Sequence, residues 1–317
     1  ASIYQLSDEP AFDFWGVPAT GEVFYITPTG KIFAAKDGKD IEIATQAITA
    51  LNAIAPSKDG RSVLTSFGNP QAPQWGIFDL LEKVWRPLPL QLANATWGAS
   101  DRELVATVRG TGEVALAVVD ISKNPPSFRT VVRDFRLHDT TLTFVPPTDL
   151  MVAERPSAFH AGRLWRFDMK SLTLTLLVDG AVGLWIEWNA DRTAQFEYRS
   201  PYHLTVKTAT ASLPFSTFPS KCDAASSAVY CFAPQNFASG RTLPDDYLMR
   251  RFVSDDALYR FTATNGLESI ELPPIARPLD AKNPRSMGDE LYFVNRANGM
   301  LYELSPLSKA RASPISF

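Results

Sequence analysis

The chain has 317 residues, and 34 acidic against 31 basic side chains give a formal charge of −3 at pH 7. Hydrophobic residues make up 45% and charged residues 21%, which is enough apolar material for a full core and excludes a disordered chain or a coiled coil. No basic block offers a footprint for nucleic acid or an anionic membrane, and no apolar run nears the roughly 20 residues of a spanning helix.

From the N-terminus, SIYQL (2–6) is a short strand with no hairpin partner of its own, followed by the inner strand AFDFWGV (11–17) and by EVFYI (22–26). The sequence begins at Ala1 without an initiator Met or a signal-peptide pattern, as expected of a processed or trimmed chain. The best helical candidate is IEIATQAITAL (41–51), but Ile41 and Ile43 alternate as they would in a strand. One complete unit then follows: LNAIAP (51–56), the turn SKDGR, SVLTSF (62–67), WGIFDL and VWRPLP. Its Asp-Gly pair supplies the positive φ that a tight hairpin needs. Further strands are ELVATV (103–108), EVALAVVD (113–120), RLWRFD (163–168), TLTLLVD (173–179), ELYFVNR (290–296) and MLYELS (300–305). With Pro at 24 positions and Phe, Trp and Tyr at 20, 7 and 9, the composition suits many short strands between turns.

A weak repeat runs through these strands. A small turn, an apolar strand and a closing polar residue recur, ending at Lys36, Asp79, Asp120, Asp168, Lys207, Thr262 and Ser305, with spacings of 39 to 55 residues. That spacing is close to a four-stranded propeller blade. The expectation is an all-β, seven-bladed β-propeller of four-stranded antiparallel blades forming one domain over 1–317. Its last blade, about 280–307, lacks a fourth strand, and the N-terminal strand 2–6 is expected to supply it and close the ring.

Three stretches carry a family likeness. They are LSDEP with Phe14 and Trp15 near the start; Lys221, Cys222, Tyr230, Cys231, LPDDY (243–247) and SDDALY (254–259); and DAKN (280–283) with LYFVNR and LYEL between Leu291 and Leu304. In these the chain resembles uncharacterised TolB-type, WD-repeat-like propellers of secreted or surface proteins from bacterial candidate phyla, often found beside PEGA-type domains. The resemblance implies a propeller and an extracytoplasmic setting, and no established activity. The segment NPRSMGDEL (283–291) is shorter than the family pattern.

Cys222 and Cys231 are the only cysteines. Placed on neighbouring antiparallel strands they come within disulfide range, and an oxidising compartment fits both the pair and the resemblance. Of the three histidines, His138 precedes an inner strand and is followed by Asp139, a pair that reads either as turn polarity with a strand-start cap or as a base and its orienter at the channel mouth; His160 and His203 fall on a loop and a hairpin. The acidic pairs Asp245-Asp246 and Asp255-Asp256 enclose Arg250 and Arg251, which points to salt bridges and turn capping. No G-x-S-x-G, P-loop, H-E-x-x-H or G-x-G-x-x-G motif is present.

In a propeller the inner strands converge on a channel. The polar residues expected there are Asp13, Asn52, Asn94, Asp139, Glu187, Asp280 and Asn283, with Trp185 and Glu187 on one face of LWIEW and Trp188 opposite. Asp13, Asp139, Glu187 and Asp280 are the candidate ligands for Ca²⁺. Crowded carboxylates repel unless a cation joins them, so either Ca²⁺ or Lys282 is expected among them. Asp13, Glu187, Trp185 and Asn283 are the candidate binding residues for a protein, peptide or glycan at the channel mouth. The favoured function is a monomeric extracytoplasmic recognition or scaffold module; the alternative is a metal-dependent ester, lactone or phosphoester hydrolase using His138 and Asp139.

Overall fold

The computed structural model describes residues 1–305 apart from 37, 45, 47, 90, 138, 200–202, 207–210, 214, 226–227, 236–239 and 274–277. The described residues form four-stranded antiparallel sheets, numbered here in chain order from the first inner strand. Sheet 1 runs from Asp13–Val17 to Lys39–Ala44, sheet 2 from Leu51–Pro56 to Val84–Pro87, and sheet 3 from Leu92–Trp97 to Ser127–Val132. Sheet 4 runs from Thr140–Val145 to Thr173–Val182, sheet 5 from Trp185–Trp188 to Ala211–Ser212, and sheet 6 from Cys222–Ala224 to Gly266–Ile270.

Those are six continuous blades, each made of four consecutive strands. The expectation of seven like repeat units is corrected on this point. The recurrence ending at Ser305 belongs to a three-stranded remainder, Ala281–Met287, Glu290–Asn295 and Leu301–Ser305, which becomes sheet 7 only when Ser2–Gln5 pairs with its last strand. Ser2 lies opposite Ser305 and Gln5 opposite Tyr302. The N-terminal amides continue the ladder one step further, Leu6 N–H donating to the Leu301 carbonyl at 2.8 Å. The helical candidate at 41–51 begins instead as the edge strand Lys39–Ala44, in line with the alternation of Ile41 and Ile43.

Strands near the middle of each blade are apolar on both faces because each sheet is covered by a neighbour on either side. Leu104, Val105 and Ala106 are consecutive and all fully buried. The apolar clusters lie between successive sheets: Trp15, Ile32 and Phe78 join sheets 1 and 2, Trp185, Phe196 and Cys231 join 5 and 6, and Phe232, Leu258 and Phe293 join 6 and 7. Phe14 and Tyr25 pack on Tyr292 and Val294, returning from sheet 7 to sheet 1. The first strand of each sheet therefore borders one central channel, where Trp15, Ala55, Thr96, Thr143, Glu187, Ala224 and Ser286 line a space of about 1400 Å³. This is the β-propeller arrangement.

The Asp-Gly turn of SKDGR has Gly60 at φ 72°. A Cβ at that position would come within 2.3 Å of the Gly16 carbonyl oxygen, so both conformation and space require glycine. The close approach lets the Trp15 indole N–H donate to the Gly60 carbonyl at 3.0 Å, linking sheets 1 and 2. Cys222 and Cys231 face each other in register on the first two strands of sheet 6 and form a disulfide. No helix among the described residues is long and apolar enough to cross a membrane.

Candidate binding site at the channel mouth

Where the inner strands begin, a cavity of about 500 Å³ opens into the channel. Its wall takes Phe12 and Asp13 from sheet 1, Asn52 from sheet 2, Trp185, Glu187 and Trp188 from sheet 5, Asp223 from sheet 6, and Lys282, Asn283 and Arg285 from sheet 7. Tyr247, Leu248 and Arg250, from the single helical turn Asp245–Leu248 and the residues after it, complete the rim with Arg296.

Sheet 7 contributes most through an irregularity. Lys282 is paired with Val294 and Arg285 with Tyr292, so three steps along one strand oppose two along the other. The extra residue is a β-bulge. Strand side chains alternate faces, and residues three apart would ordinarily point oppositely; the bulge reverses that parity and brings both Lys282 and Arg285 to the cavity. Asn283 occupies the bulge at φ 50°, a left-handed conformation that asparagine tolerates better than most residues. Its side-chain amide donates to Asp13 Oδ2 at 3.0 Å, binding sheet 7 to sheet 1 at the rim.

Glu187 is half-buried at the boundary between cavity and channel and accepts a hydrogen bond from the Trp185 indole at 3.0 Å. Burial pushes its carboxyl up to about 7, against the opposing pull of the Trp185 hydrogen bond and of Lys282. Asp223 is also pushed up by burial, to about 6, although it accepts the Ser286 N–H at 2.6 Å and is attracted to Arg285. Lys282 is shifted the other way: burial disfavours its ammonium, the attraction of Asp13 opposes this, and the repulsion of Arg250 adds to it. Its Nζ donates to the Phe12 carbonyl at 3.3 Å and lies 5.0 Å from the centre of the Phe12 ring. Lys282 thus shares this cavity with Asp13 and Glu187.

The structure brings Asp13, Glu187, Trp185 and Asn283 together at this cavity, as well as Asn52. It does not bring in the others. Asp280 is fully buried between sheets 6 and 7, with its Oδ1 2.7 Å from Lys221 Nζ. Asp139 is exposed and forms an ion pair with Arg155 at 2.8 Å. Asn94 spends its side-chain amide on the Thr140 carbonyl. His138 lies outside the described residues, His160 is exposed on a bend, and His203 starts the strand His203–Val206. Of the four carboxylates proposed for Ca²⁺, only Asp13 and Glu187 therefore share the cavity, and among the described residues no three His, Cys, Asp or Glu side chains are grouped to hold a metal. Of the acidic pairs, Asp246 binds Arg251 at 3.0 Å and Asp245 accepts the Ala158 N–H, while Asp256 binds Lys221.

Sequence reasoning did not single out Arg285, Asp223, Tyr247 or Arg296. The dipeptide Asn283-Pro284 inside a strand was the available signal for the bulge that delivers Arg285, since Pro in a strand marks an edge or an irregularity. Tyr247 and Arg296 stack on each other, with the guanidinium carbon 4.0 Å from the ring centre, a contact between distant segments.

The fold has many counterparts among solved structures. The β-propeller domain of Cps50 (Swd1) from Myceliophteria thermophila aligns with 96% of this chain and 99% of its own at 9% identity and a TM-score of 0.59. A catalytically inactive variant of virginiamycin B lyase from Staphylococcus aureus, solved with Quinupristin, aligns over 96% of this chain and 98% of its own at 14% identity and a TM-score of 0.57. A prolyl endopeptidase aligns over 97% of this chain but 50% of its own length, at 11% identity and a TM-score of 0.52. The chain has the β-propeller fold. At these identities the likeness extends to the fold alone. No family model matches the chain, and no curated protein is similar to it in sequence.

Proposed function

We propose that this chain is a monomeric recognition or scaffold propeller that works outside the cytoplasm and takes its ligand at the channel mouth. One observation carries the reading: a cavity of about 500 Å³ in which aromatic, cationic and anionic side chains from several sheets face one space. Concave sites with apolar walls and a few convergent polar groups are where ligands bind. The Cys222–Cys231 disulfide is compatible with an oxidising compartment, and the likeness to TolB-type secreted and surface propellers points the same way. The structural neighbours include a propeller domain of Swd1 and a lyase solved with Quinupristin, so the fold itself favours neither binding nor catalysis.

The test is a ligand screen by saturation-transfer NMR against peptides, glycans and small organic molecules, beside a chromogenic panel of esters, lactones and phosphoesters with and without EDTA. Binding that is lost in Trp185→Ala, with no turnover, supports recognition. Turnover abolished by EDTA, or a rise in melting temperature with millimolar Ca²⁺, would transfer the assignment to the metal-dependent hydrolase.

A further inference from the structure

Two cations at the mouth have unused hydrogen-bonding capacity. Arg285 Nε is buried and has no hydrogen-bond partner among the described residues. Its guanidinium lies 5.8 Å from the centre of the Phe14 ring and forms no ion pair among those residues. Lys282 likewise has no carboxylate within ion-pair distance among the described residues, its ammonium making the one long bond to the Phe12 carbonyl. A buried, unpaired donor costs free energy that a ligand acceptor would recover.

The charges around the cavity limit what that acceptor is. Four cations, Arg250, Lys282, Arg285 and Arg296, face three carboxylates, Asp13, Glu187 and Asp223. Arg296 is already committed, stacked on Tyr247 and 3.7 Å from Asp280. Asp13 is held by Asn283 and by the Phe14 N–H at 2.9 Å. With Arg296 set aside, Arg250, Lys282 and Arg285 face three carboxylates, of which Glu187 and Asp223 are pushed towards the neutral form by burial, so the balance is modestly positive and suits a monoanion better than a phosphate dianion. Arginine's planar fork fits a carboxylate edge. Part of the remaining wall is apolar, with Phe12, Trp185 and Trp188 inside, Leu248 at the rim and the exposed Met249 beside it, alongside the polar Asn52, Asn189 and Ser220.

Building on the recognition reading, we propose that the mouth cavity binds an amphipathic organic acid. Its carboxylate sits between Lys282 and Arg285, and its apolar body lies against Phe12, Trp185 and Leu248. The β-bulge at Asn283 is the device that makes the site, because it sets the two cations on one side of the strand.

The experiment is isothermal titration of the full chain with a panel of aryl- and alkyl-carboxylic acids, each beside its own primary amide, a neutral near-isostere. Acids are expected to bind and their amides to bind about tenfold more weakly or not at all, the loss expected from removing a charge-assisted hydrogen bond. Lys282→Met and Arg285→Gln should each weaken the best acid by about tenfold, while Lys39→Met on the distant edge strand leaves it unchanged. Rising salt should weaken the acid and not the amide. Circular dichroism melts confirm that the variants are folded. Equal binding of acid and amide, or unchanged acid binding in both folded variants, would overturn the carboxylate site while the recognition reading stands. Silence from every acid overturns it as well, and the recognition reading falls with it only if the broader ligand screen is also silent.

Discussion

Lys221 and Asp280 meet across the boundary between sheets 6 and 7, Nζ to Oδ1 at 2.7 Å, both side chains fully buried. The ammonium also donates to Asp256 Oδ2 at 2.6 Å, Ser254 Oγ at 3.1 Å and the Ala281 carbonyl at 3.0 Å. Burial opposes the charge on Lys221, but the two carboxylates outweigh it and raise its pKa above the ordinary lysine value. Removing one member of such a group strands the others in a dry interior. Lys221→Met is therefore expected to lower stability by about 3–5 kcal/mol, read from urea unfolding. The triple variant Lys221→Met, Asp256→Asn, Asp280→Asn should recover part of that loss, because no buried carboxylate is then left without its ammonium; the recovery is partial because Arg296 loses Asp280 as its partner.

Glu187 makes stability depend on pH in the less usual direction for a carboxyl. Its folded-state pKa, about 7, lies above the ordinary 4.5, so the native state holds a proton that the unfolded state has released. Its contribution is fully present below about 4.5 and is lost as pH rises through about 7. Glu187→Gln removes this dependence. Relative to the natural chain, the variant should gain on the order of 1–3 kcal/mol between pH 5 and pH 8, measured by urea titration at both pH values. A difference that stays flat would show that Glu187 is solvated like a surface carboxylate.

The disulfide closes a short loop, with a sequence separation of 9 between its cysteines. By the chain-entropy argument its removal costs about 2–3 kcal/mol. The double variant Cys222→Ala, Cys231→Ala should unfold at correspondingly lower urea and remain folded in its absence. In the natural chain, alkylation without reductant followed by intact-mass measurement should leave both cysteines unlabelled.

Ile3, on the strand that completes sheet 7, is buried in one cluster with Leu291, Phe293 and Leu304. Ile3→Ala should cost about 2–5 kcal/mol, the usual range for an aliphatic side chain truncated in a core. Deleting residues 1–6 should do more than destabilise. It exposes the edge of Leu301–Ser305, and size-exclusion chromatography should show self-association that Ile3→Ala alone does not cause.

The all-β propeller was legible, though not its number of continuous blades, because it is written in local signals: apolar strands of blade-like spacing, turn glycines such as Gly60, and a first strand and a last blade each lacking a partner. The site was legible in part. Asp13, Glu187, Trp185 and Asn283 follow from strand position and alternation, and they converge. Asp280 shows the limit, since its place beside an inner strand is as expected but its environment is decided by Lys221, a residue 59 positions away in the chain. Arg285 was hidden for a different reason: regular alternation assigns it to the face opposite Lys282, and only the irregularity at Asn283 reverses this. Sequence periodicity reports which residues share a face in an ideal strand. Charges settled between sheets, and faces exchanged by one inserted residue, are set by tertiary geometry.

The seam between Ser2–Gln5 and Leu301–Ser305 has a mechanical meaning. Because Ser2 faces Ser305, the two strand ends leave the sheet at the same corner. A pull that separates them loads the pair rung by rung, like a zipper, instead of shearing all its hydrogen bonds together. Under tension between residues 1 and 305 the ring would open first at this seam, while Cys222–Cys231 and the Lys221 group hold sheet 6 and its boundary with sheet 7. Single-molecule extension from the two ends should then show an early low-force step of a few residues before the blades unravel.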